Sequence, residues 1–442
     1  MKQVSSLKIV SPLAVFALLM LCFGALMGCL SGLEYVVPGY LRNYLGFEQM
    51  RPMHVSAVLF WILLGATAFV YAALNALQPG ILSHNWIKIQ VVLWLLAITG
   101  VFYSYTQSHF GGREYWEFEP VWALPIALSW LMFVVQLVKI IRKIKIWPVY
   151  VWMWMTGAVF FLWIFMENYF WVFTGLRDKA ITDLTIQWKV NGSIVGAWNQ
   201  LIYGMAFYLM DRIKSQTNIG SSKLAFAMYF LGLFNLMFNW GHHVYTLPGA
   251  HLVRYVGYVV SMTEWVFFAK ILWEWRQSIR EISSYYQQQA YKFLMASNIW
   301  VFFNMGMAIL MSIPVLNLYT HGTHVTVAHA MGTTIGINTM ILLAAAYAFA
   351  GQDQVLLSTK KQTRLFWVMQ ISLLVFVIAL VGAGLTKGVW QMHGKDDAFS
   401  GMMLSLQPYF RTFVAAGFVV MVCLFLVAGD LLKQYLKIMK NQ

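Results

Sequence analysis

The sequence predicts an all-α membrane protein: a bundle of twelve transmembrane helices in one domain spanning residues 1–442, with both chain ends on the cytoplasmic side. Three observations carry that expectation. The chain is 60% hydrophobic and 10% charged, with 20 Trp and 32 Phe in 442 residues, a composition that excludes an ordinary soluble fold. Apolar runs recur at the length a helix needs to cross about 30 Å of hydrocarbon. Basic residues gather in alternate connections.

The runs fall at 9–32, 54–78, 86–106, 120–141, 148–175, 186–210, 222–247, 252–274, 292–315, 323–350, 364–387 and 408–434. The first follows Lys2 and Lys8 but is too long for a secretory leader, and Gly28-Cys29 is a weak cleavage site, so it is read as a helix. Lys139, Arg142, Lys143 and Lys145 follow the fourth run, and Arg212, Lys214 and Lys223 the sixth. Arg276, Arg280 and Lys292 flank the eighth connection, Lys360, Lys361 and Arg364 the tenth, and Lys433, Lys437 and Lys440 close the chain. The connections between them carry compensating acids, as in Arg113, Glu114, Glu117 and Glu119, or almost no charge. The net charge of +14 is therefore topology, and nucleic acid need not be invoked. Cys22, Cys29 and Cys423 read as packing residues, and the absence of Cys-x-x-Cys-His excludes a covalently attached c-type heme on this chain.

That topology sets depths. His54 enters the second helix from the outer side, His242-His243 leave the seventh on that side, and His329 opens the tenth there. Asn191, one turn into the sixth, reaches the same level. A histidine at a helix end is usually an interfacial hydrogen-bonder. Four at one depth inside a bilayer point instead to a buried redox site.

Arg51-Pro52-Met53-His54, Gly241-His242-His243, and Thr320-His321-Gly322-Thr323 leading to Val327-Ala328-His329 resemble heme-copper oxidase subunit I. Gly112-Arg113-Glu114-Tyr115 is similar to the nitric oxide reductase branch. The resemblance implies His54 as a low-spin heme ligand, His329 as the proximal ligand of a high-spin heme, and His242 and His243 on a non-heme iron, with both hemes of b type. It also implies a functional Glu264 near the center and Glu114 as a calcium ligand, an exposed salt-bridged glutamate being the competing reading.

Three departures accompany it. Asn191 stands where the family has a third histidine ligand, and Val195 where it has a glutamate. Asn191 offers the metal a carbonyl oxygen, or only hydrogen-bonds. Met331 stands where the second helix 10 histidine would be. An offset of two residues turns about 200° around a helix, so one helix serves a heme on each face, and a thioether is a competent axial ligand. His324, one face-repeat earlier, is the poorer candidate.

The expected reaction is reduction of two NO to N2O and water at the heme/non-heme iron center. Electrons would come from a small membrane-anchored c-type cytochrome, in a bacterial inner membrane with the site nearer the periplasm. The alternatives are a nitric oxide dismutase, a heme electron-transfer or NO-sensing subunit, and a transporter.

Overall fold

The structure is a computed structural model that describes residues 2–213, 219–245, 247–260, 262–263, 282–351, 354–394 and 398–440. It is all-helical, and no strand occurs among the described residues. The helices are labelled α1 (Lys2–Leu33), α2 (Phe47–Leu77), α3 (His84–Thr106), α4 (Ala123–Ile141), α5 (Val149–Glu167), α6 (Ala180–Ile213) and α7 (Lys223–Phe238). They continue as α8 (described over 251–260), α9 (Gln289–Ser312), α10 (His324–Ala350), α11 (Lys360–His393) and α12 (Phe399–Lys440). Ten spans among the described residues are long and apolar enough to cross a membrane. The chain is a multi-span membrane protein.

Two expected spans are not in that set. α6 has the length, but Asn191, Asn199 and Gln200 dilute the hydropathy of its uncharged stretch between Lys189 and Asp211. α8 runs toward residues outside those described.

α2 is the central post. Trp61, Leu63, Leu64, Ala68 and Val70 are fully buried, as expected for a helix ringed by other helices rather than lipid. It starts earlier than its hydropathy suggests, because Gln49 in the first turn reaches back and its Oε1 accepts from Gly46 N–H at 2.9 Å. His54 therefore lies two turns inside α2. Outer helices present Leu19, Trp163, Phe230, Ile371 and Leu426 as exposed apolar side chains, the surface lipid would cover.

α2 and α10 lie side by side and run in the same direction. Trp61 Nε1 donates to Thr339 Oγ1 at 2.9 Å, and a Cβ on Gly65 would stand 3.2 Å from Leu342. An interhelical bond of this kind contributes about 1 kcal/mol in a membrane. α10 is α-helical over His324–Met331, widens to a π-helix over Gly332–Thr339, and resumes as α over Met340–Ala350. Such widening is frequent at functional sites.

Candidate active site: histidines on α2, α7 and α10

His54 is seated on α1. Its Nδ1 lies 2.7 Å from the Gly24 carbonyl, and a Cβ on Gly28 would meet Nδ1 at 2.6 Å. A carbonyl only accepts, so Nδ1 carries the proton and Nε2 presents its lone pair. That is the tautomer a metal ligand needs, oriented by its partner. Gly28 is thus a packing partner of a site residue, and Gly24 and Gly28, four apart on one helical face, are the sequence signal that could have shown it.

α7 stops at Phe238 and tightens into a 3-10 turn, Asn239–Val244. In a regular α-helix adjacent side chains diverge by about 100°. In this turn the His242 and His243 rings come together, with centroids 4.3 Å apart and planes at 32°. α6 fits closely against them: a Cβ on Gly192 would stand 3.1 Å from His243 Cδ2 and 3.0 Å from Trp240 Cβ. His321 and His329 both lie near enough to His243 to interact with it electrostatically. His329 Nδ1 is buried without a hydrogen bond of good geometry, although the Asn304 backbone approaches the ring.

Asn191 is 7% exposed at this level of α6. Its Oδ1 accepts from Gln187 Nε2 at 3.0 Å and its Nδ2 donates to Glu114 Oε2 at 3.1 Å. Glu114 is exposed and has no ion pair among the described residues; it spends one oxygen on Asn191. Its neighbour Arg113 pairs with Asp183 at 2.7 Å, so two points two turns apart on α6 clamp the 107–119 loop. Glu117 pairs with Arg51; burial pushes its carboxyl above the usual carboxylate range while Arg51 pulls it back. Lys189 pairs with the buried Glu167. Hydropathy and motif spacing pointed to none of these partners.

The two-residue offset of His329 and Met331 lies in the α-helical part of α10, so the two side chains leave opposite faces. Met331 is half-buried, and His324 packs edge-on to Tyr35 and tilted against Phe410, with ring centroids 5.6 and 5.2 Å away. His321 packs on Trp188 at 5.2 Å. Glu264 lies outside the described residues. Among the described residues no three His, Cys, Asp or Glu side chains form a metal-holding cluster. The residues present fit the groups in two respects: His54 offers an oriented lone pair, and the His242-His243 pair converges.

Residues 8–422 match the family model described as "Cytochrome C and Quinol oxidase polypeptide I". The chain belongs to this family, the heme-copper oxidase subunit I proteins. Its members are oxidoreductases that bind hemes and a metal center. A nitric oxide reductase subunit of Stutzerimonas stutzeri is 24% identical over 425 residues, covering 89% of this chain and 87% of that one. A cytochrome c oxidase subunit 1 homolog of Agrobacterium tumefaciens (strain T37) is 23% identical, covering 88% and 76%. The Cbb3-type cytochrome c oxidase subunit CcoN1 of Stutzerimonas stutzeri is 20% identical, covering 79% and 77%. A heme-copper terminal oxidase dimer solved by cryo-EM shares the fold at a TM-score of 0.72 and 15% identity, covering 99% of this chain and 84% of that one.

Proposed function

We propose that the chain is the catalytic subunit of a nitric oxide reductase, converting 2 NO, 2 electrons and 2 protons to N2O and water. One observation carries the reading. At the level of the paired histidines neither α6 nor α7 offers a tyrosine for dioxygen reduction: Val195 follows Asn191 by four residues, and Asn235, Leu236 and Met237 occupy the corresponding turn of α7. The full-length similarity to a nitric oxide reductase subunit supports it.

On this reading His54 and Met331 would hold a low-spin heme b, and His329 would hold a high-spin heme b. His242, His243 and Asn191 hold a non-heme iron. The metals would supply NO binding and electrons; the protein's part would be to bring two small ligands together and deliver protons. Glu264 relays those protons from the outer side, where Glu114 and Glu117 stand at the entrance. The second Glu114 oxygen is the one a calcium ion would take. Twelve spans with both termini cytoplasmic put this layer toward the periplasm of a bacterial inner membrane, where a small membrane-anchored c-type cytochrome docks.

Anoxic turnover with NO, following N2O, N2 and O2 together, tests the reading. N2O alone is the expected product. The Asn191 and Val195 departures favour a second reading, nitric oxide dismutase, which N2 and O2 would reveal. Two hemes and one non-heme iron per chain are expected; one heme would mean a sensor, and none a transporter.

A further inference from the structure

We propose that Asn304 on α9 is a positioning residue for His329: through Thr333 and Gly332 it holds the turn of α10 that carries the histidine, and so sets the direction of the imidazole without being a ligand itself. The proposal rests on the reading of His329 as a heme ligand. Asn304 and Thr333 are both buried. Asn304 Nδ2 donates to Thr333 Oγ1 at 2.6 Å, and Thr333 Oγ1 donates to the His329 carbonyl at 3.2 Å. The direction of this chain is fixed. A carbonyl only accepts, so the one hydroxyl hydrogen of Thr333 goes to His329 and its lone pair faces Asn304, which must turn its NH2 that way. Asn304 Oδ1 is then left buried with no donor, over Gly332, in a place that a Cβ on that glycine would overlap. An orphaned amide oxygen is costly in an apolar interior. An apolar residue of the same size would pack here at lower cost, so the amide is explained by what its NH2 holds. The Asn304 backbone also approaches the His329 ring.

These contacts fall where α10 changes pitch. Gly332 N–H is shared between the Ala328 and His329 carbonyls, and the π-helix starts at that glycine. A widened turn gives up regular ladder bonds and persists where side chains insert into the ladder and hold it. Thr333 supplies such a bond at one end, and Thr339 Oγ1 closes the other on the Thr334 carbonyl at 2.8 Å. α9 fixes the register. Trp300, one turn before Asn304, packs on Gly336, one turn after Gly332, where a Cβ would stand 2.6 Å from the indole. Trp300 Nε1 is tied in turn to Gln370 Oε1 on α11 at 2.8 Å. Two side chains one turn apart on α9 therefore seat on two glycines one turn apart on α10, where the absence of a side chain lets the helices approach. Below the widened segment α10 is held to α2 by Trp61 and Thr339. Above it, the histidine's turn is held by Asn304.

The experiment uses the purified full chain with its hemes. The iron–histidine stretching band of the reduced protein is recorded by resonance Raman, with heme content, the low-spin spectrum and the NO rate, in the parent, Asn304→Leu, Thr333→Val, Thr333→Ser and His329→Ala. Asn304→Leu and Thr333→Val keep the volume and remove the bonds. Each should shift or broaden the band and lower the rate about tenfold or more, with both hemes retained and the low-spin spectrum unchanged. Thr333→Ser keeps the hydroxyl and should resemble the parent. A parent-like band and rate in Asn304→Leu overturn the proposal. So does a Thr333→Ser protein that behaves like Thr333→Val, which would assign the effect to packing of the methyl group. Loss of both hemes from both apolar variants would make these residues determinants of the fold and overturns it as well. The underlying reading is tested apart: His329→Ala should lose the high-spin heme and keep the low-spin one, and a high-spin heme that survives refutes the ligand, and the proposal with it, whatever Asn304→Leu does.

Discussion

At residue 331 a thioether stands at the level of His54. The Trp61–Thr339 bond fixes the register of two parallel helices; His54 lies seven residues before Trp61 and Met331 eight before Thr339, so both stand on the order of 10 Å toward the outer side of that bond. If Met331 is the axial ligand, oxidized protein shows the weak near-infrared sulfur-to-iron band and a low-spin heme of raised potential. Met331→His should lower the potential and remove the band while keeping the low-spin state; bis-histidine signatures in the parent would refute the ligand. Asn191 makes a second residue-scale test. Asn191→His should tighten iron retention and alter the NO rate, whereas Asn191→Ala should lose metal and release Glu114. Unchanged metal content and activity in both would make Asn191 a bystander.

The helices that hold these side chains were legible to different degrees. α10 could be read almost to the residue, because Thr323 caps it by accepting from Val325 N–H at 3.2 Å and no charged residue interrupts it before Asp353. The histidines were legible for the same reason: polar side chains stand out against an apolar background. Their partners were not. Gly24 is 30 residues from His54, and Glu114 is 77 from Asn191, and contacts at such separations leave no periodic trace. α6 shows the limit most clearly. Hydropathy set its start near 186, yet it begins at Ala180, since the added turn is stabilised by Asp183 reaching Arg113 rather than by apolar burial. The α1 seat makes an element-scale prediction. Gly28→Val would place a side chain where a Cβ alone meets His54 Nδ1 at 2.6 Å. The expected outcome is loss of the low-spin heme spectrum with the high-spin signal kept; a parent-like spectrum would show that α1 does not position His54.

Across the whole molecule the path of electrons is the open consequence of the arrangement. The histidine layer lies at one end of the bundle, with His54 two turns inside α2 and the clamped 107–119 loop above it, carrying Arg113, Glu114 and Glu117 over the same end. Among the described residues, Lys139, Arg142 and Lys143 at the end of α4 and Lys360, Lys361 and Arg364 at the start of α11 stand at the opposite end. A chain without Cys-x-x-Cys-His has no covalent heme through which to collect electrons, so on the proposed reading they enter from a protein docked over His54. The mixed charges of Arg51, Glu117, Arg113 and Asp183 are already paired with one another, which favours a permanent neighbour over a partner steered in by unpaired charge. A small membrane-anchored c-type cytochrome meets that description. The purified chain should then carry its hemes but turn over slowly with a soluble c-type donor, and a co-purified heme c polypeptide should restore the rate. Steady NO reduction driven by quinol, with the isolated chain alone, would show that electrons enter from within the membrane and would remove the need for that partner.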